Sequence, residues 1–295
     1  MLLLTGATGS IGSRLLPLLL DADEQVRCLV REPRRLGDHR VDVQIALGDL
    51  GEMSDPYLVR QALRGVDTVV HLAATIRDQP GHRIEELNGL ATVRLLRAAE
   101  RSGVRRFVFF SALNASAAQR TRFFRAKWVA EQAVSSSVLE SMVFAPSIVY
   151  DRSDPWVTLL RRFSALPVMP VSGGGQACFQ PIWAADAARC VVAALSGEGG
   201  GRDRYELAGP ETLTYDDMSD LVSRIAGRPR PLVHFPLPLI RAGLLATRSL
   251  LGDSVFATWE EAELMEVSMT TERGTGDANA LGVEPRRMGD VLEEG

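Results

Sequence analysis

The stretch that decides the fold is Thr5-Gly6-Ala7-Thr8-Gly9-Ser10-Ile11-Gly12, which closes the apolar run 2–4 and opens a segment with helical spacing. Its glycines recur at every third position. Glycine at such a turn permits a tight reversal, a close backbone approach to a pyrophosphate, and close packing of helix on strand. The helix that follows offers free N–H groups and the positive end of its dipole. The stretch therefore predicts a dinucleotide-phosphate loop at the start of a βαβ unit.

Outward from this loop, the first half of the chain alternates short apolar runs with helical patterns, which is typical of a parallel sheet covered on both faces. The predicted strands are 2–5, 26–30, 43–47, 68–72, 106–111 and 142–145. The predicted helices are 11–20, 56–63, 84–101 and 122–134. This order predicts an α/β fold with a doubly wound parallel sheet of the Rossmann type.

The rhythm of the chain changes near residue 150. Prolines and glycines cluster at Pro167, Pro170 and 173–175, and strict alternation of strands and helices ends. We therefore predict a dinucleotide-binding domain over 1–150 and, mainly over 151–295, a smaller C-terminal substrate lobe that shares one core with it. The apolar stretch 235–251 is predicted to be a helix of this lobe.

Composition narrows the class of protein. The chain is 46% hydrophobic and 24% charged, as in ordinary globular proteins, and its net charge of −4 argues against nucleic-acid binding. Three widely spaced cysteines and four scattered histidines predict neither a disulfide framework nor a metal site. The sequence has no run of eighteen apolar residues, so we predict no integral membrane segment. Cytoplasm is the expected location.

The end of the second predicted strand bears on the choice of dinucleotide. NAD-binding folds place an acid there to bond the ribose 2′-hydroxyl, whereas this strand ends at Arg31, followed by Arg34 and Arg35. A guanidinium pairs with a 2′-phosphate through its planar fork. We therefore predict NADP(H), with NAD as the alternative cofactor. The competing interpretation is that these arginines belong to a solvated loop.

Two further strand ends are predicted to contact the dinucleotide. Asp49 and Leu50 follow the third strand, where an acid and an apolar side chain suit the adenine end. Leu72, Ala73 and Ala74 follow the fourth strand, where small residues let the backbone approach the cofactor.

These motifs, with Arg106-Phe107-Val108-Phe109-Phe110-Ser111 and Pro146-Ser147-Ile148-Val149-Tyr150, resemble the short-chain dehydrogenase/reductase superfamily. The resemblance is to its atypical branch, the NmrA-like and NAD-dependent epimerase-like proteins, which includes relatives of the NADPH-binding accessory subunit of respiratory complex I. It implies a nicotinamide cofactor, with Pro146 and Ile148 among its contacts, and a small-molecule substrate in the cleft. It also matches Asn88 to the family's helix asparagine.

The family's catalytic pattern is only partly present. Active members use Tyr-x-x-x-Lys, but here the tyrosine position holds Phe123 while the lysine is kept as Lys127, the only lysine among 33 basic residues. Phenylalanine has no proton to exchange, so the usual acid/base step is excluded at that position. The resemblance implies that Lys127 holds the nicotinamide ribose and that Ser111 orients the substrate. In isoflavone-reductase-like relatives, a lysine without the tyrosine acts as the base.

Two functions remain open at this point. The first is an oxidoreductase in which Ser111 orients the substrate and Lys127 relays protons, with Tyr150 as a weaker candidate proton donor. The second is a non-catalytic NADP(H) sensor or assembly subunit, in which bound cofactor stabilises a surface for a protein partner. Phe123 favours the second function, whereas the retained Ser111 and Lys127 favour the first.

Overall fold

The computed structural model describes residues 1–49, 51, 55–198, 201–238 and 259–294. A seven-stranded parallel sheet lies at its centre. The strands are β1 (Leu2–Thr5), β2 (Val26–Val30), β3 (Gln44–Leu47), β4 (Thr68–His71), β5 (Arg106–Phe110), β6 (Glu140–Pro146) and β11 (Arg204–Leu207). Their order across the sheet is β11-β6-β5-β4-β1-β2-β3, so the chain reverses its direction of progress at β1.

Helices cover both faces of this sheet. They are α1 (Ser10–Asp21), α2 (Pro56–Leu63), α3 (Ala91–Glu100), α4 (Arg122–Ser135) and α6 (Ala184–Leu195). Helices α1 and α6 pack together on one face, whereas α2, α3 and α4 cover the other. Successive residues of a strand point to opposite faces of the sheet. Leu2 and Leu4 therefore pack in the core beside α1 and α6, and Leu3 packs in the core beside α2, α3 and α4.

The predicted doubly wound fold is confirmed, and all six predicted strands and four predicted helices of the first half are present. Two details differ. The helix predicted over 84–101 begins with a π-helical turn, Glu86–Leu90, before α3. The sheet also has a seventh strand, β11, because its sequence Arg-Tyr-Glu-Leu alternates half-buried polar with buried apolar residues rather than forming the apolar run that we looked for.

Shorter elements make up the rest of the described chain. Three two-stranded pairs form: β7 (Val149–Tyr150) with β10 (Ile182–Trp183), β8 (Met169–Ser172) with β13 (Leu232–Phe235), and β9 (Cys178–Phe179) with β12 (Leu213–Thr214). The helices are α5 (Pro155–Phe163), α7 (Tyr215–Ile225), α8 (Trp259–Leu264), α9 (Gly276–Ala280) and α10 (Met288–Glu293).

The helix that we predicted over 235–251 is wrong at its start, because Phe235 ends strand β13. Residues 239–251 of that prediction lie outside the described residues. The division of the chain at residue 150 stays a prediction, although the core beside α1 includes Ile182, Val191 and Leu207 from beyond it. Within the described ranges, no helix has the length and apolar character needed to cross a bilayer.

Candidate functional site

The candidate site is the crevice at the carboxyl ends of β1 and β4, where the strand order reverses and where ligands of such sheets bind. The glycine loop leaves β1 here. Gly6 has a φ of +75°, and a β-carbon on it would lie 2.6 Å from the Ala73 nitrogen. Glycine is therefore required at this position, because the loop turns left-handed directly against the backbone that follows β4.

The other two glycines shape the start of α1. A β-carbon on Gly12 would lie 2.1 Å from the Gly6 carbonyl oxygen, so this residue lets the helix pack on the loop. Gly9 is exposed and precedes α1, which has neither a side-chain cap nor an acidic residue in its first turn. Thr8 and Ile11 are half-buried beside it. The loop thus fits a dinucleotide, because it leaves backbone donors at a helix N-terminus for a pyrophosphate.

The arginines after β2 lie beside this loop. Arg31 directly follows β2, and Arg34 and Arg35 belong to the 3₁₀ segment Pro33–Val41; all three side chains are exposed. Within the part of the chain that the structure describes, none of the three forms an ion pair with a carboxylate. Asp49 is half-buried after β3, and Leu50 lies outside the described residues.

The segment after β4 closes the crevice from the other side. The Leu72 N–H donates to the Thr5 carbonyl at 3.2 Å, and the Ala73 N–H donates to Thr5 Oγ1 at 3.3 Å. Ala74 is exposed and has no bulk to block a ligand. These contacts hold the backbone of Leu72, Ala73 and Ala74 along the predicted path of the dinucleotide.

A buried histidine links this segment to the helical layer. His71 Nδ1 lies 2.7 Å from Thr5 Oγ1, and His71 Nε2 lies 2.9 Å from Thr92 Oγ1. Because the Thr92 hydroxyl donates to the Asn88 carbonyl at 2.9 Å, the histidine donates from Nε2 and accepts at Nδ1. Burial, with a contribution from the Lys127 charge, lowers the pKa of His71 to about 3, so the ring is neutral.

Asn88 lies in the π-helical turn, and its side-chain amide forms three hydrogen bonds. Its side-chain amide donates to the carbonyls of Thr75 at 2.7 Å and Ile84 at 2.9 Å, and its oxygen accepts the Thr75 N–H at 3.0 Å. The asparagine that the resemblance matched therefore fixes the loop after β4, and all three hydrogen bonds are to backbone.

Lys127 is buried on α4 beneath the crevice. Its Nζ donates to the Phe110 carbonyl at 2.6 Å and lies 5.0 Å from the centre of the Phe109 ring and 5.8 Å from that of Phe123. Burial lowers the pKa of Lys127 from its ordinary value to about 7, against the opposing attraction of Glu131. Phe123, one helical turn earlier, places a ring without a hydroxyl beside the amine.

Ser111 follows β5 and is held next to Lys127, whose amine binds the preceding carbonyl. The Ser111 hydroxyl donates to the Glu131 carboxylate, and the other Glu131 oxygen accepts from Arg204 Nε at 2.8 Å. Glu131 and Arg204 were not predicted from the sequence to be site residues. One signal was available for Glu131: it lies four residues after Lys127, on the same face of a helix that otherwise buries apolar side chains.

Comparison with known proteins agrees with this geometry. A family model described as NAD(P)H-binding matches residues 6–162. This chain belongs to the NAD(P)H-binding family of atypical short-chain dehydrogenases/reductases. This family membership confirms the predicted resemblance and supports a nicotinamide cofactor.

Proteins of similar sequence differ in their named roles. The chain is 27% identical over 267 residues to subunit 9 of the mitochondrial NADH dehydrogenase 1 alpha subcomplex of Arabidopsis thaliana, covering 85% of this chain but only 63% of that protein. It is 31% identical over 248 residues to the (4-alkanoyl-5-oxo-2,5-dihydrofuran-3-yl)methyl phosphate reductase of Streptomyces griseus, covering 83% and 81% respectively. The Thermus thermophilus UDP-glucose 4-epimerase structure with NAD shares the fold, with a TM-score of 0.72, 20% identity, and coverage of 99% and 96%.

Two other residues of the predicted dehydrogenase/reductase site, Pro146 at the end of β6 and Ile148 just after it, use their carbonyls within the protein. The Pro146 oxygen accepts the Leu113 N–H at 2.8 Å, and the Ile148 oxygen accepts the Ile182 N–H at 3.0 Å. Pro146 and Ile148 stay predicted contacts of the cofactor.

Tyr150, the weaker candidate proton donor of this dehydrogenase/reductase, and Asp186 are both fully buried. The Tyr150 hydroxyl has no hydrogen-bond partner among the described residues, and burial raises its pKa well above the usual range, which suits packing better than proton donation. Asp186 lies in the first turn of α6. Its carboxylate accepts the Arg286 N–H at 2.8 Å and pairs with Arg189.

Proposed function

We propose that this protein is an NADP(H)-dependent oxidoreductase that acts on a small molecule in the crevice, with Lys127 as its acid/base. The observation that supports this most directly is the position of Lys127, whose amine is buried beside Ser111 and has a pKa of about 7. An acid/base works best when its pKa lies near the working pH, and an ordinary lysine is far from that range.

In the proposed reaction, the protein supplies the proton that the substrate oxygen receives. NADPH, when bound, supplies a hydride to the substrate carbon. The Lys127 ammonium donates a proton to the substrate oxygen and regains one from solvent, so Phe123 needs no hydroxyl. Ser111 orients the substrate through its hydroxyl oxygen.

The preference for NADP(H) over NAD(H) is proposed from the arginines after β2. Arg31 lies where a selective acid would stand in an NAD-binding fold, and its exposed guanidinium is directed to no described carboxylate. A charge-assisted contact to a 2′-phosphate stabilises the complex by roughly 1.5–3 kcal/mol.

Replacing Arg31 with alanine is expected to weaken NADPH binding by about ten- to a hundredfold and to leave NADH binding unchanged, because only NADPH carries the 2′-phosphate. Isothermal titration calorimetry with both cofactors measures this difference. Arg101→Ala is the matched control, since Arg101 is an exposed arginine at the far end of α3. Equal affinity of the wild type for NADPH and NADH, unaffected by Arg31→Ala, would overturn the assignment.

A second candidate function is a non-catalytic NADP(H) sensor or assembly subunit. Phe123 favours it, because the residue facing Lys127 lacks the hydroxyl of active family members, and a similar protein is a subunit of a respiratory complex. In that case the wild type oxidises no NADPH with a broad panel of carbonyl and enone substrates. NADPH instead raises the melting temperature, because it binds only the folded form, and alters association with a protein partner.

A further inference from the structure

A carboxylate outside the predicted site connects its two proposed functional side chains. Glu131 is only 8% exposed, and Ser111 and Lys127 are 4% and 3% exposed. One Glu131 oxygen accepts the Ser111 hydroxyl, and the other accepts Arg204 Nε at 2.8 Å. A buried carboxylate is tolerated when it is paired and hydrogen-bonded, and here each oxygen has its own donor.

Arg204 anchors this carboxylate from the edge strand β11, on the face of the sheet that α4 covers. It lies on β11, its side chain is 37% exposed, and it also pairs with Glu206 two residues later. The Glu206 carboxylate in turn accepts the Thr271 hydroxyl. Arg204 thus holds one Glu131 oxygen through contacts that do not involve the crevice.

Few charged groups surround Lys127. His71 on β4 is neutral, and Glu131 lies on the same helix as Lys127, with Arg204 beyond it. The π-helical turn that packs on α4 contributes the uncharged Asn88, and its one carboxylate, Glu86, is exposed. The two arginines within α3 are exposed: Arg94 and Arg97. The Glu131 carboxylate is therefore the negative charge that acts on the buried amine.

We propose that Glu131, anchored by Arg204, is a positioning residue that orients the Ser111 hydroxyl and supplies the counter-charge to Lys127. Because the single hydroxyl proton of Ser111 is donated to Glu131, Ser111 offers lone pairs to the crevice, and the proton for a substrate oxygen comes from Lys127. The kinetic part of this inference rests on the proposed oxidoreductase function, whereas the effect on the charge of Lys127 does not.

The single lysine makes the test direct. In protein labelled with [ε-¹³C]lysine, one side-chain NMR signal reports the protonation of Lys127 across a pH titration. Glu131→Gln is expected to lower the Lys127 pKa by about one pH unit or more, because removal of a nearby opposite charge disfavours the ammonium. Glu140→Gln, which neutralises the exposed partner of Arg106, is expected to leave the pKa unchanged. An unchanged or raised pKa in Glu131→Gln would overturn the proposal.

Arg204→Met provides a second variant if Glu131→Gln does not fold. It keeps the carboxylate and removes the opposing guanidinium, so the Lys127 pKa is expected to rise; a fall would contradict the proposal.

In the kinetic assay, Glu131→Gln is expected to lower kcat at least tenfold with KM for NADPH unchanged; an unchanged kcat would contradict the positioning role. Absence of turnover in the wild type would reject the oxidoreductase function, while the NMR titration would still decide the role of Glu131.

Discussion

Lys127→Ala is expected to reduce NADPH-dependent turnover by about 10²–10⁴-fold, the acceleration that a positioned acid or base typically supplies. The reason is structural: the amine hydrogen-bonds the Phe110 carbonyl beside Ser111, and Phe123 offers no second proton donor. Steady-state kinetics of NADPH oxidation, with the substrate that the wild type reduces best, measure the loss. The wild-type rate of reduction should fall as pH rises through about 7, because the donating ammonium is lost there.

Two companion variants test separate parts of this site: one removes the Lys127 amine but keeps its side-chain volume, and the other restores the hydroxyl that Phe123 lacks. Lys127→Met fills nearly the same volume without an amine, so it should lose turnover as Lys127→Ala does. Phe123→Tyr should change the rate little if Lys127 is the working acid/base. Strong turnover that survives both lysine substitutions would contradict the role of Lys127. If the wild type is inactive and Phe123→Tyr creates reductase activity, the sensor function is supported instead.

Gly9→Val is expected to abolish dinucleotide binding while the protein stays folded. A β-carbon on Gly9 would meet the Gly6 carbonyl oxygen at 3.3 Å, so the loop has to shift by only a few tenths of an ångström to admit a side chain there. A branched side chain at the start of α1 nevertheless fills the space through which a pyrophosphate approaches the backbone N–H groups. Calorimetric titration with NADPH and thermal unfolding of the same sample measure binding and folding together.

Two other glycines serve as controls for this variant. Gly276 also begins a helix, and no atom lies within 4 Å of the β-carbon position, so Gly276→Val should bind NADPH like the wild type. Gly12→Ala should instead destabilise the fold, because its β-carbon would lie 2.1 Å from the Gly6 carbonyl oxygen. Unchanged cofactor affinity in folded Gly9→Val would show that the phosphate site lies elsewhere.

Local sequence signals were sufficient for most of the fold. Buried parallel strands carry continuous apolar runs such as Leu2-Leu3-Leu4, and both faces of the sheet are covered, so each run stands out from the helical patterns around it. The glycine spacing predicted the tight turn after β1, and the structure shows that Gly6 lies directly against Ala73, where a β-carbon does not fit. The single lysine in a chain that otherwise uses arginine predicted a site residue at Lys127, but it did not predict that the amine is buried.

Contacts between distant segments were not predicted from these local signals. Arg204 and Glu206 look like surface charges in β11, and Glu131 looks like one more charge on a helix. The ion pair between Arg204 and Glu131 forms because β11 lies beside β6 in the folded sheet, and it joins residues 73 positions apart in the sequence. A periodic pattern reports which face of an element is buried, but it does not report which charge lies opposite another.

The late position of β11 in the chain has a consequence for how the protein is synthesised and refolds. Strand β6 is complete at Pro146, yet β11, its neighbour on the outer side, begins only at Arg204. The Tyr205 ring of β11 stacks on the Phe144 ring of β6 with 5.2 Å between the ring centres. Pairing over such a long sequence separation is slow. Until residue 207 has left the ribosome, β6 presents an open edge and an uncovered aromatic ring, which favour association between nascent chains.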